Sequence, residues 1–126
     1  MGEAENRQTV LTVFRAILEG DVGLFHRQFC EDSVIEFPQS GERIVGGANR
    51  RAVYRSFPGR PSVTRTTVGG DLAVVEATVD YGDAADWRAV FIYRLRGARI
   101  ATAAAYWAQP FQPAESRAAW VEPIDS

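Results

Sequence analysis

The segment VIEFPQSGERIVGG, residues 34–47, divides the chain into a helical part and a part made mainly of strands. It holds a run of β-forming residues that ends at Phe37-Pro38, a turn at Gln39-Ser40-Gly41, and an extended run from Glu42 to Val45. Helical periodicity precedes this segment, and strand periodicity follows the next helix. This order predicts an α+β domain in which helices pack against an antiparallel sheet.

The residues before this segment predict two helices. In residues 3–19 the apolar side chains recur with helical spacing and form one stripe: Val10, Val13, Phe14, Ile17 and Leu18. Gly20 ends this helix, and Asp21 is a suitable N-cap for a second, shorter helix. His26 falls on the apolar stripe of the second helix, so we expect the only histidine of the sequence to be buried.

A third helix is predicted from Ala48 to Phe57, where Pro58-Gly59 ends it. We expect Val53 and Phe57 on its buried stripe, with Tyr54 beside them. The solvated faces of this helix and the following loop are expected to carry a loose run of arginines: Arg50, Arg51, Arg55, Arg60 and Arg65.

The strand signals indicate a bent sheet with a cavity. Strands are predicted at residues 33–37, 62–68, 72–81, 87–95 and 100–107, in addition to the short extended run at 42–45. The last four of the longer strands have the spacing of a meander of hairpins. We expect this sheet to curl around the helices and to leave a cavity on its concave face.

Composition limits the classes of function. The 126 residues suit a single domain, residues 1–126. A net charge of -2, with Arg as the only basic residue besides His26, gives no electrostatic basis for binding nucleic acid. The single cysteine, Cys30, cannot form an intramolecular disulfide, which favours a cytoplasmic location. The polar N-terminal residues predict neither a signal peptide nor a membrane segment.

Several segments resemble the nuclear transport factor 2-like superfamily. They are the helix that ends at Gly20-Asp21, the sequence FCEDSVIEFP, the helix that follows Gly47, and the closing hairpins. More narrowly, the chain is similar to SnoaL-like polyketide cyclase domains, including the tail YWAQPFQPAESRAAWVE at residues 106–122. The resemblance covers nearly the whole chain. It implies an α+β fold in which a cone-shaped, strongly bent antiparallel sheet and three N-terminal helices enclose an apolar pocket.

The catalytic residues of the related enzymes do not carry over to this sequence. Ketosteroid isomerases of the superfamily have a general-base Asp where this chain has Phe37, a protonated Asp where it has Phe91, and a Tyr donor near Val13. Scytalone-dehydratase-like members need two histidines, and only His26 is present. The buried Asp pair of limonene-epoxide-hydrolase-like members is not found at an inward strand position. The acidic residue that SnoaL-type cyclases use near the end of the last strand is missing from residues 100–109.

If Phe37 and Phe91 occupy pocket positions, strand alternation predicts which other residues face inward. We expect Trp87 and Trp107 to face each other across adjacent strands, either as a ligand-binding pair or as core. The expected pocket lining is Phe37, Tyr54, Trp87, Phe91, Tyr93 and Trp107. Such a pocket favours a flat or polycyclic apolar ligand, because no Gly-rich loop or inward arginine cluster is available to hold phosphate.

The candidate catalytic residues are His26, Tyr54 and Tyr93. Histidine can act as a base near neutral pH, and a tyrosine hydroxyl can polarise a ligand oxygen. Each of the three also suits a purely structural role in the core. No cofactor is expected. An acidic group in one hairpin, Asp80, Asp83 and Asp86, lacks the ligand spacing of a metal site, so no metal is expected either.

Three functions are therefore considered. The first is an isomerase, cyclase or dehydratase that acts on an apolar oxygenated, polyketide-like molecule. The second is a non-catalytic module that binds a hydrophobic ligand, which the missing carboxylates favour. The third, a protein-interaction module, has only the analogy of the fold behind it.

The convex face of the sheet predicts a homodimer. The outward residues near its centre are largely apolar: Val90, Ile92, Thr102, Ala104 and Tyr106. Monomeric proteins rarely expose a contiguous apolar patch of this kind, and self-pairing around a two-fold axis is the simplest way to cover it. We expect neither nucleic acid nor a membrane as a partner.

Overall fold

A computed structural model describes residues 2–83 and 85–124. Within these residues the helices are α1 (Glu3–Glu19), α2 (Val22–Arg27) and α3 (Gly47–Val53). The strands are β1 (Phe29–Phe37), β2 (Glu42–Val45), β3 (Arg60–Gly69), β4 (Leu72–Asp80), β5 (Trp87–Arg96) and β6 (Arg99–Ala108). A short 3-10 helix at Glu115–Trp120 follows. No helix in the described part of the chain is long and apolar enough to cross a membrane.

The six strands form one curved, unclosed sheet in the order β2-β1-β6-β5-β4-β3. The α+β fold predicted from the sequence is confirmed. The expectation of a wholly antiparallel sheet is wrong at one place, because β1 and β6 run parallel, with Ile35 beside Ala103 and Phe29 beside Ile100. This pair joins the N-terminal hairpin β1–β2 to the β3–β6 meander.

The predicted ends of the first two helices agree with the structure. The α1 helix spans Glu3–Glu19, and the side chain of Asp21 caps α2 by accepting a hydrogen bond from the backbone N–H of Leu24 at 3.0 Å. The α3 helix is shorter than predicted and ends at Val53. Tyr54 leaves the helix with ψ 57°, and Pro58 disfavours a helical conformation at the residue before it.

The core lies between α1 and the concave face of the sheet. Val10 and Val13 of α1 are buried, and α1 packs against β3, β4 and β6. Along β4, alternate residues are buried: Ala73, Val75, Ala77 and Val79. This alternation is the one predicted for a strand with one face in the core. The helices therefore close one side of a curved sheet, and the space left between them forms the candidate site.

Candidate functional site

Two adjacent spaces lie on the concave face. The smaller one, called here the inner chamber, has a volume of about 140 Å³. Apolar side chains from α1, α2 and the sheet form most of its wall: Val13, Phe14, Ile17, Phe25, Phe29, Ile35, Val79, Phe91, Ala103 and Ala105. Its polar side chains are three tyrosines, Tyr54, Tyr81 and Tyr93. Among the described residues, no carboxylate lines it.

The second and larger space, called here the mouth, has a volume of about 490 Å³. Its lining consists of Phe37, Glu42, Tyr54, Pro58, Tyr81, Trp87, Phe91, Ala105 and Trp107. Tyr54, Tyr81 and Phe91 line both the mouth and the inner chamber, so the two spaces are adjacent. A ligand can therefore extend from one space into the other past the aromatic rings of the mouth.

The six residues predicted to line a pocket all lie on these two spaces. Tyr93 lines the inner chamber, Tyr54 and Phe91 line both, and Phe37, Trp87 and Trp107 line the mouth. The prediction that Trp87 and Trp107 face each other is wrong. Strand register places Trp107 opposite Ala89 instead.

Each tryptophan of the mouth packs against a different ring. Trp107 meets Phe37 edge to face at a centroid distance of 5.4 Å, and Trp87 meets Tyr81 in the same way at 5.5 Å. These pairs fix the orientation of the rings in the mouth without burying them completely. The Trp87 indole N–H also donates a hydrogen bond of 2.9 Å to the Asp83 carboxylate.

A glycine allows the loop after α3 to pass close to the mouth. A Cβ atom at Gly59 would lie 2.6 Å from Val79 and 2.7 Å from the Tyr81 ring, closer than side chains tolerate. Glycine at this position therefore lets the backbone of the Pro58-Gly59 turn form part of the inner wall beside Tyr81.

The tyrosine hydroxyls are neutral hydrogen-bond donors. Burial raises the pKa of Tyr54 to about 12, and burial also raises the pKa of Tyr93 and of Tyr81 above the ordinary value. No hydrogen bond from the Tyr54 or Tyr93 hydroxyl to protein is found among residues 2–83 and 85–124. Both O–H groups are therefore available to an oxygen or nitrogen atom of a ligand.

His26 lines neither the inner chamber nor the mouth. Both of its ring nitrogens have partners within the protein. Its Nε2 lies 3.1 Å from the backbone carbonyl of Tyr54, and its Nδ1 accepts a hydrogen bond of 3.0 Å from Nε of Arg50. A carbonyl can only accept, so the proton resides on Nε2 and the ring is neutral. Burial is the main cause that lowers the pKa of His26, and the Arg50 charge lowers it further.

Arg50 is the residue around which this polar cluster is built. Its side chain is 1% exposed and lies over the Phe29 ring, with the guanidinium carbon 4.8 Å from the ring centroid. The guanidinium also donates to the Ser33 hydroxyl at 2.5 Å and to the Cys30 carbonyl at 3.2 Å. We call Arg50, His26, Ser33 and the Cys30 carbonyl the polar cluster.

The prediction that Arg50 lies on a solvated face of α3 is wrong, and so is the prediction that Val53 is buried, since Val53 is 56% exposed. The buried residues of α3 are Gly47 and Arg50, and Tyr54, just after the helix, continues the same face, at spacings i, i+3 and i+7. That spacing is present in the sequence and could have identified the stripe. Arginine is polar, however, so apolar periodicity alone selects Val53.

The polar cluster determines where Tyr54 points. The Tyr54 backbone carbonyl bonds to His26, and the Tyr54 N–H donates to the Arg50 carbonyl at 2.9 Å. Both backbone groups of Tyr54 are therefore held by cluster residues, and its ring projects into the cavity. His26 is a positioning residue for Tyr54 in this geometry, and the Arg50 side chain acts on Tyr54 through its bond to His26.

Two of the three acidic residues named for the β4–β5 hairpin, Asp80 and Asp83, have partners within the protein. Asp80 accepts a hydrogen bond of 2.7 Å from the Gly82 N–H, and Asp83 bonds to Trp87 as described above. In the described part of the chain no group of three or more His, Cys, Asp or Glu residues is placed to hold a metal ion. The described lining of the two spaces contains no basic side chain that could hold the phosphate of a cofactor.

Comparisons with known proteins agree with this fold. A family model described as the SnoaL-like domain matches residues 10–103. An NTF2-like protein of unknown function from Burkholderia xenovorans LB400 is 29% identical, with a TM-score of 0.86 and coverage of 97% of each chain. A provisionally named isomerase from Bacillus subtilis is 25% identical, with a TM-score of 0.72 and coverage of 86% of this chain and 90% of the other.

A third structure, a provisionally named ketosteroid isomerase from Kribbella flavida DSM 17836, shares the fold. It is 23% identical, with a TM-score of 0.87 and coverage of 97% of this chain and 91% of the other. None of the curated proteins compared with the chain matches it significantly.

Proposed function

The chain belongs to the SnoaL-like domain family, and on that premise we propose that it binds a small, largely apolar molecule that carries oxygen. The observation that supports this proposal best is the chemistry of the inner chamber. Its wall is apolar, and its polar groups are tyrosine hydroxyls that remain protonated at neutral pH. Such groups hold a carbonyl or ether oxygen in place but do not remove a proton from carbon.

The dimensions indicate how the ligand lies. The inner chamber alone is smaller than the ~300–1,000 Å³ of a common ligand site. A ligand of ordinary size must therefore extend from the inner chamber into the mouth. Its oxygenated end is then near Tyr93 and Tyr54, and its remaining body contacts the rings of the mouth. Flat, polycyclic and polyketide-like molecules have this combination of shape and polarity.

Tryptophan fluorescence tests the binding proposal, because Trp87 and Trp107 both line the mouth. We expect the emission to change in a saturable way when aromatic ketones of increasing size are titrated. Trp107→Ala should weaken binding, since the ring is part of the wall. As a control, Trp120→Ala changes a tryptophan that is 82% exposed and outside the pocket. Undiminished binding by Trp107→Ala would overturn the placement of the ligand.

A second candidate function is catalysis by an isomerase, cyclase or dehydratase. The observation that favours it is the similarity to the provisionally named isomerase from Bacillus subtilis. Such a reaction needs a proton acceptor near the ligand. His26 could serve only after it loses its bonds to Arg50 and Tyr54. Glu42, at the rim of the mouth, is the one carboxylate among the described lining residues.

Isotope exchange separates the two functions without knowledge of the natural substrate. A ketone that binds is incubated with the protein in D₂O, and exchange at its α-carbon is followed by NMR. A binding protein gives no exchange above that of buffer, and we expect this result. Exchange that is lost in Glu42→Gln, or in His26→Ala under conditions where that variant is folded, would establish proton transfer and the second function.

We also propose that two copies pair through the convex face. Val90 and Tyr106 are 36% and 42% exposed there, beside the partly buried Ile92 and Ala104. Ile92→Asp should give monomers in gel filtration at tens of micromolar, an order-of-magnitude working concentration. Val45→Asp, on the exposed part of β2, is the matched control and should leave the elution volume unchanged. A wild-type protein that already elutes as a monomer would overturn the proposal.

A further inference from the structure

The mouth has the composition of an aromatic cage. Six rings line it: Phe37, Tyr54, Tyr81, Trp87, Phe91 and Trp107. Phe37 and Trp107 form one edge-to-face pair, and Tyr81 and Trp87 form another. The faces of such rings carry negative electrostatic potential, because the π-electrons lie above and below the ring plane. Several rings around one space therefore attract a cation.

Two carboxylates add negative charge at this place. Glu42 lines the mouth directly, since it lies opposite Phe37 on the neighbouring strand and paired residues share one face of the sheet. No ion pair to Glu42 is found among residues 2–83 and 85–124. The Asp83 carboxylate accepts the indole N–H of Trp87 and so places negative charge at the edge of that ring. No arginine is among the described residues that line the mouth.

We propose that the mouth binds the cationic end of the ligand, an alkylammonium group attached to an apolar body. The inner chamber, which has no carboxylate in its described lining, takes the apolar and oxygenated part. The aromatic rings and Glu42 then surround the ammonium group, which stays in contact with solvent. A methylated ammonium suits this site better than a primary one, because its weaker hydration is lost at less cost among rings.

This inference rests on the proposed binding function and names the class of ligand. The test compares two probes of the same shape, benzyltrimethylammonium and its neutral carbon isostere neopentylbenzene. Their dissociation constants are measured by tryptophan fluorescence at low ionic strength. We expect the cation to bind about 3- to 30-fold more tightly, the range for a cation among aromatic rings.

Variants then locate the source of the preference. Glu42→Gln should weaken binding of the cation several-fold and leave the isostere unchanged. Glu36→Gln is the matched control, because Glu36 is exposed on β1 and belongs to neither the mouth nor the inner chamber. It should alter neither probe. Trp87→Leu should also reduce the preference for the cation.

The outcomes distinguish the two proposals. If the isostere binds as tightly as the cation, or if Glu42→Gln leaves the preference unchanged, the cation site is overturned and the apolar pocket stands. If neither probe binds but larger aromatic ketones do, the cation site is likewise overturned. If no probe of any kind binds, the binding function fails together with the cation site.

Discussion

The polar cluster and the inner chamber both adjoin Tyr54, and they differ in whether their polar groups have hydrogen-bond partners within the protein. In the polar cluster, Arg50, His26 and Ser33 are bonded to one another or to backbone carbonyls. In the inner chamber, the Tyr93 hydroxyl has no protein partner among the described residues and faces open space. Buried polar groups that satisfy one another stabilise a fold, whereas unpartnered groups beside a cavity are available to a ligand. Three experiments test this difference.

Replacement of Arg50 should have the largest effect on the stability of the fold. Arg50→Met removes the guanidinium and leaves His26 Nδ1 and the Ser33 hydroxyl without their buried partner. We expect the free energy of unfolding to fall by about 1–3 kcal/mol, the cost of leaving a buried polar group without its partner. Urea denaturation followed by circular dichroism measures this loss.

Arg51→Met is the control for this experiment, since Arg51 is the neighbouring residue of the same helix. Arg51 forms an exposed ion pair with Glu31 at 2.7 Å, and such pairs contribute little. The stability of Arg51→Met should be close to that of the wild type. Equal stability of Arg50→Met and Arg51→Met would show that the polar cluster does not hold the fold.

Acidification should lower the free energy of unfolding by an intermediate amount, through protonation of His26. Its pKa is lowered in the folded protein, mainly by burial, so the unfolded chain binds a proton more readily. Stability from this group is therefore complete above the unfolded pKa of about 6.5 and declines as the pH falls below it, by at most about 1.4 kcal/mol per pH unit. The neighbours Arg50 and Arg51 stay charged over this pH range, as arginine side chains do. Glu31 also stays charged, because its bond to Arg51 lowers its pKa.

His26→Gln isolates this contribution, since glutamine has an acceptor and a donor but does not titrate between pH 5 and 8. Urea midpoints of both proteins are compared at pH 7.5 and 5.5. We expect the wild type to lose more stability than the variant. A wild-type decline no steeper than that of His26→Gln would mean that His26 is not held neutral by the cluster.

Loss of the Tyr93 hydroxyl should have the smallest effect on stability. Tyr93→Phe keeps the ring and removes an O–H group that has no protein partner among the described residues. The free energy of unfolding should change by no more than about 0.5 kcal/mol in either direction, because no hydrogen bond within the protein is lost. The affinity for an aromatic ketone should fall about 3- to 15-fold, the value of one hydrogen bond. A large loss of stability with unchanged affinity would assign Tyr93 to the core instead.

The helices and strands of the fold could largely be predicted from the sequence, because apolar periodicity and turn residues act locally, whereas the parallel β1–β6 pairing could not. The ends of α1, the cap of α2 and the inward face of β4 follow from such patterns. The polar cluster could not be found in this way, because the partners of Arg50 lie in α2 and β1, outside its own helix. His26, Cys30 and Ser33 are near one another in sequence, but their approach to α3 depends on the path of β1. The pairing of each tryptophan likewise depends on strand register.

The parallel contact between β1 and β6 affects how the molecule is made. Phe29 pairs with Ile100, so the contact joins an early segment of the chain to a late one. Hairpins of the β3–β6 meander close short loops and can form quickly, whereas the β1–β6 contact closes a long loop and is expected to form later. Until that contact forms, the β1–β2 hairpin has no neighbour on the side of β1 that faces β6. The inner chamber, whose wall includes Ile35 of β1 and Ala103 of β6, is therefore complete only after this slow contact has formed.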